Sequence, residues 1–97
     1  MEYLAVRWKH NLADMPVEIY SELDGRRMEV RKVEVFKNGN LGFASAAKSR
    51  GPSKLGIEPV PPLREIAAQT EFEPRLSNAQ EFEKMWNSAV GKGLFVA

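Results

Sequence analysis

The chain contains one histidine, His10, and no cysteine. Thiolate nucleophiles, disulfides, Cys-based zinc sites and paired-histidine metal motifs are therefore outside its repertoire. His10 could act as a general acid or base, with Asp14 or a glutamate completing a carboxylate site, but the sequence offers no evident orienting partner for it. The plainer reading is a side chain at a strand end. Eleven glutamates supply carboxylates in number, yet almost all stand opposite or near an arginine or lysine, as on a solvated face, and no glycosidase-like pair stands out. Gly39, Gly42, Gly51 and Gly56 fit neither GxGxxG nor a Walker pattern, so a phosphate cradle has no support. No catalytic, metal or cofactor residue is assigned, and no cofactor is expected.

Three stretches could bind rather than react. Pro59-Val60-Pro61-Pro62-Leu63-Arg64 fits a PxxP-plus-basic pattern of polyproline ligands, although an extended lead into a helix explains the same residues. Between Glu34 and Glu58 there is no acidic residue, while Lys37, Lys48, Arg50 and Lys54 lie near Phe36 and Phe43. Cations beside Phe43 on a sheet would suit single-stranded nucleic acid, phosphates meeting lysines and a base stacking on the ring. The third stretch is a charge-dense hairpin. Its Glu18, Tyr20, Glu22, Arg27, Glu29 and Arg31 could rim a protein interface, with Phe36, Leu41 and Phe43 as an adjoining apolar patch.

Period-two alternation in the first half and period 3.6 in the second predict an α+β domain. About four antiparallel strands are expected, a meander of hairpins over Glu2 to His10, Val17 to Leu23, Met28 to Phe36 and Leu41 to Ser45. Asp24-Gly25 and Asn38-Gly39 are expected as two-residue type I′ turns. The first would set Glu22 opposite Arg27 and Glu18 opposite Arg31, and the second Phe36 opposite Leu41. A longer second loop would return Phe36, Leu41 and Phe43 to the core. Val33 and Val35 then fall on the charged face unless a bulge near Arg31-Lys32 resets the alternation.

Residues 46–57 follow neither period and read as a mobile basic loop. Pro62 opens a short helix ending near Gln69, and Glu71 to Arg75 reads as connection. Ser77 and Gln80 read as a capping box for a longer helix with an apolar stripe of Ala79, Phe82, Met85, Trp86, Ala89 and Val90. Gly91 should close it, leaving a frayed tail or an extra edge strand. Both helices are expected on one face of the sheet.

Ninety-seven residues with 43% hydrophobic and 28% charged content suit one domain, residues 1–97, with a core but little room for a deep cavity. A net charge of +1 argues against generic adhesion to nucleic acid or anionic membrane. No secretory pattern or apolar run of membrane-spanning length occurs, so a cytoplasmic protein is expected.

Arg7-Trp8-Lys9-His10, Tyr20-Ser21-Glu22-Leu23-Asp24 and Glu29-Val30-Arg31-Lys32-Val33-Glu34-Val35-Phe36 resemble a small bacterial family catalogued as a domain of unknown function. Leu55-Gly56, Pro61, Glu71-Phe72-Glu73-Pro74, Glu81-Phe82-Glu83 and Trp86 extend the resemblance over nearly the whole chain. It implies a bacterial source and a standalone domain, and it supplies no chemistry. The leading functional expectation is a small binding domain acting through protein–protein contact, an inhibitor or immunity-type antidote being one such role. The alternative is single-stranded nucleic-acid binding; a monomer or homodimer is expected, with no membrane partner.

Overall fold

The structure, a computed structural model, describes the backbone of residues 1–51 and 53–96, and side chains as far as residue 91 apart from residue 52. The alternating first half forms β1 (Glu2–Trp8), β2 (Pro16–Leu23), β3 (Glu29–Phe36) and β4 (Leu41–Ser45), each antiparallel to the next. Two strands that the sequence pattern hides complete the sheet. These are β5 (Ser49–Arg50) and β6 (Phe72–Leu76), giving six strands in the order β5-β4-β3-β2-β1-β6 rather than about four. The stretch 46–57 therefore contributes a strand to the sheet edge, and the expected connection at Glu71 to Arg75 is the opposite edge.

Proline obscured β6, and the register shows how it is tolerated. Lys9 donates its N–H to Glu71 and Ser77 donates to Tyr3, so odd-numbered residues of this strand point their amides at β1. Pro74, opposite Val6, has its nitrogen on the outer side, where no ladder bond is lost.

Both hairpin loops have three residues, not two. Asp24 and Met28 close the first, with Arg27 at φ 62 in the left-handed region, while Asp24 Oδ1 accepts the N–H groups of Arg26 and Met28. Phe36 and Asn40 close the second around Gly39 at φ 88. In the first hairpin Glu22 thus stands opposite Arg31 rather than Arg27, and Glu18 opposite Val35 rather than Arg31. The parity reset is real but sits at Val30, where the register slips between Glu22 and Leu23. In the second hairpin Leu41 faces Val35 instead of Phe36, which brings Leu41 and Phe43 to the face of Val33.

That face carries the core. Ala5, Tyr20, Val33 and Phe43 form one cross-strand row, all buried. Helix α2 (Ala79–Val96) lays the wholly buried Phe82 and Ala89 on it, with Met85, Trp86 and Val90 partly buried alongside and Ala79 left exposed. Its N-cap is Asn78, one residue later than expected, whose Oδ1 accepts the Glu81 N–H. The helix runs through Gly91 to Val96, so the expected tail is helical as far as it is described. Helix α1 (Leu63–Ala67) does not share this face. It packs beside β6 and lies over the other one.

Candidate functional site

The second face presents Leu4, Val6 and Ile19 from β1 and β2, and Ser21, Glu29 and Lys32 beside them. No long helix covers these residues. Val60-Pro61, Glu65 and Ile66 of α1, and Ala68 and Gln69 just after it arch over them with Phe72, leaving an apolar-walled groove of about 630 Å³. That volume lies in the range of ligand sites, and its few convergent polar groups lie on the floor.

On that floor Lys32 Nζ stands 3.1 Å from Glu29 Oε1, with both side chains largely buried at 13% and 8% exposure. The Gly56 N–H donates to Glu29 Oε1 at 2.6 Å, and Ser21 Oγ donates to Oε2 at 3.3 Å. Lys32 also donates to the Lys54 carbonyl at 3.1 Å. Two of its three donors are thus spent on described residues, and the pair is neutral as a unit. The groove wall depends on Arg27. Its own carbonyl accepts the Val60 N–H at 2.8 Å, and its guanidinium donates to the Val60 and Pro61 carbonyls at 2.8 and 2.7 Å while pairing with Glu2. A non-glycine left-handed residue costs of order 1–3 kcal/mol and persists where its surroundings over-determine it, as these contacts do.

The hairpin residues expected to rim an interface are distributed over both faces. On the core face, Arg31 lies over the rings of both Phe82 and Trp86, with its guanidinium carbon 4.9 and 5.0 Å from their centroids. It grips Glu22 in a bidentate pair at 2.7 and 2.9 Å and also pairs with Glu83. The Arg31 guanidinium holds the Glu22 carboxyl below its usual range, helped by the Tyr3 hydroxyl at 2.9 Å. The Tyr3 phenol in turn is pushed up by that bond and by burial. Tyr20 is a core residue whose phenol is raised chiefly by burial. Glu18 lines a shallow surface cleft with Arg7 and Arg75, whereas Arg27 and Glu29 serve the groove. Phe36 and Leu41 are half-buried, and Phe43 is 7% exposed with its ring edge-on to Trp86 at 5.3 Å. The expected apolar patch is mostly core, because the three-residue loop at Asn38-Gly39 turned it inward.

The same burial removes Phe43 as a stacking platform. Lys37, Lys48 and Lys54 are exposed and Arg50 is half-buried on β5, while Phe36, next to Lys37 in the chain, is half-buried. His10 is committed at both ring nitrogens. The Leu12 N–H donates to Nδ1 at 2.9 Å and Nε2 lies 2.7 Å from the Pro16 carbonyl, a pairing that sets the neutral Nε2–H tautomer and fixes the loop after β1. Among the described residues no three potential metal ligands cluster, and no helix is long and apolar enough to cross a membrane.

Sequence reasoning missed the groove because its walls come from segments without periodicity. The usable signal was Val60-Pro61 ahead of a short amphipathic helix, read only as a joint. No curated protein and no solved structure matches the chain. Residues 2–91 match the family described as "Domain of unknown function (DUF6881)". Since that match spans nearly the whole chain, from β1 through Gly91 of α2, the protein belongs to this family of unknown function.

Proposed function

We propose that the protein is a binding domain that works by contact with another protein, and that it takes a segment of that partner into the groove beneath α1. The observation that supports this most is the groove itself, where Val6, Ile19 and Ile66 remain partly open on a face whose opposite side is sealed. The sheet edges support it by elimination. On the outer side of β6 the Phe72 N–H is spent on Gln69 and Pro74 has no amide, and β5 is two residues long, so neither edge suits strand addition. His10, whose ring nitrogens bind backbone groups of its own loop, is read as structural.

A photo-crosslinking residue at Gln69, on the exposed side of the groove, tests this in cells of the source organism. A discrete adduct with one protein is expected, and it should vanish when Ala68→Trp fills the groove. Absence of any protein adduct, or an adduct indifferent to Ala68→Trp, would overturn the assignment.

A further inference from the structure

We infer that α1 and its flanks, residues 62–70, form a lid that swings off the groove to admit the partner segment, with Arg27 as its latch and the turn at Gln69 to Glu71 as its hinge. This rests on the protein-contact reading above and adds how the site opens. Among the described residues, the hydrogen bonds of 62–70 all end within 62–72. The N–H groups of Glu65 and Ile66 reach the Pro62 carbonyl, those of Ala68 and Gln69 reach Arg64 and Ile66, and the Phe72 N–H reaches Gln69. No residue of α1 is buried, and only Leu63 and Ile66 are half-buried. The segment is thus a bridge over the groove, joined to the sheet by polar contacts only at its two ends.

The two ends are unequal. Beyond the hinge, the Glu71 carbonyl accepts the Lys9 N–H at 2.8 Å, and the β1–β6 ladder continues from there through Trp8 opposite Phe72. At the other end Val60 and Pro61 hang on one residue, Arg27, whose guanidinium is partly exposed and whose backbone is left-handed. The strap before it is fixed more firmly: Ser53 binds Glu34, and Lys54 and Gly56 bind the largely buried Lys32 and Glu29. Release of the latch therefore frees 62–70 while 53–56 stays in place. Leu4 and Ser21 line the groove yet are buried, so a segment that touches them needs this roof moved.

The natural chain has no cysteine, so a single introduced thiol reports opening. Ser21→Cys places one on the groove floor, and Ala5→Cys places one on the sealed face. Circular dichroism checks that each variant folds, and Leu4→Cys replaces Ser21→Cys if that variant does not. With each rate divided by that of the same variant unfolded, a chromogenic disulfide should label the floor thiol about tenfold faster or more, at a rate that low urea barely changes. The Ala5→Cys thiol should wait for global unfolding and accelerate steeply with urea. Adding Arg27→Ala should speed the floor thiol about tenfold, the scale of one or two lost hydrogen bonds. In Arg27→Ala the amides of Gly56 and Lys9 should keep their protection from hydrogen exchange while that of Val60 loses it. Equal labelling rates with equal urea dependence, or a floor thiol indifferent to Arg27→Ala, would overturn the lid. Loss of protection at Gly56 or Lys9 together with Val60 would overturn the hinge, because the whole strap or the β6 edge would then be peeling. A cellular adduct at Gln69 with slow, urea-dependent labelling would sink this inference alone. Fast labelling that low urea leaves unchanged, without any cellular protein adduct, would support the lid and count against the protein-contact reading.

Discussion

The two faces of the sheet are finished by different means. On one, α2 presses Phe82, Ala89 and half of Trp86 onto the row Ala5, Tyr20, Val33 and Phe43, a continuous apolar contact in which Phe82 is wholly buried. On the other, a non-periodic strap and a five-residue helix are tied down mainly by polar contacts: Arg27 to Val60 and Pro61, Ser53 to Glu34, and Gly56 to Glu29. Ser53 and Glu29 make their contacts in buried surroundings and Leu4, Leu23 and Ala44 are buried on this face too, but Val6 and Ile19 stay half-exposed. Apolar area stabilises both faces in proportion to what it buries, but the strap over the second is itself tied down mainly by hydrogen bonds worth about 1 kcal/mol each. The second face should therefore open locally at lower free energy, the property of segments that admit ligands.

The largest effect should come from the sealed face. Phe82→Ala removes a fully buried ring that touches Tyr3 and Trp86, and a loss of about 3–5 kcal/mol in denaturant unfolding is expected. Trp86→Ala should cost less, because Trp86 is only half-buried. An equal or larger loss from Ala68→Trp, which touches only the groove, would break the comparison.

Next in size is the ion cluster that the sealed face contains. Arg31→Met removes the guanidinium from over two aromatic rings and leaves Glu22, a buried carboxylate, with only the Tyr3 hydroxyl, for an expected loss of about 3 kcal/mol at neutral pH. The sign with pH follows from Glu22. Its carboxyl titrates below its ordinary value of 4.5 when folded, so its contribution is complete above that pH and is lost as pH falls through the depressed folded value. Arg31→Met should accordingly flatten the acid limb of the stability profile, and a mutant acid limb as steep as that of the natural sequence would show that Glu22 does not set it.

The groove face answers to smaller changes, and more locally. Arg27→Ala deletes three guanidinium contacts to the strap and Glu2, and a global loss of about 1–2 kcal/mol is expected. Hydrogen exchange should show the Val60 amide accelerating well before the amides of the sheet. Arg27→Gly separates latch from strain, since glycine relieves the φ of 62 while also losing the contacts. If the strap loosens equally in both variants, the guanidinium is the latch; if only Arg27→Ala loosens it, backbone strain is responsible.

What the sequence revealed follows the same division. Strands β1 to β4 and the stripe of α2 were legible because periodic burial writes itself into residue order, and Leu41 to Ser45 was placed to the residue. The turns misled by one residue each. Asp24-Gly25 looks like a two-residue loop, but Asp24 Oδ1 binds the amides of Arg26 and Met28 and moves the left-handed residue to Arg27, which no glycine signals. Register followed from that residue, and the partners of Glu22 and the burial of Phe43 followed from register. The groove was illegible for a different reason. Its wall is fixed by contacts such as Arg27 to Pro61, 34 residues apart and with no local pattern, while Pro74 masked the strand beneath α1.

The smallest expected effect lies at the start of α2. Glu81 is held by Arg75 through two bonds of 2.8 Å and by the Ser77 hydroxyl, and these pull its carboxyl down to about 2. Such a shift suggests a strong interaction, yet Arg75 and Glu81 are 53% and 34% exposed, and water screens much of it. The helix end does not depend on the carboxylate, because Asn78 Oδ1 caps the Glu81 amide whatever the side chain is. Glu81→Gln should therefore cost only about 0.5 kcal/mol at pH 7, the scale of an exposed pair. Its contribution is present above the ordinary carboxyl value of 4.5 and fades toward pH 2, so the natural and mutant proteins should converge in stability as pH falls across that window. A loss at pH 7 as large as that of Arg27→Ala would mean that the rim of the sealed face, like the groove, is held by its polar contacts.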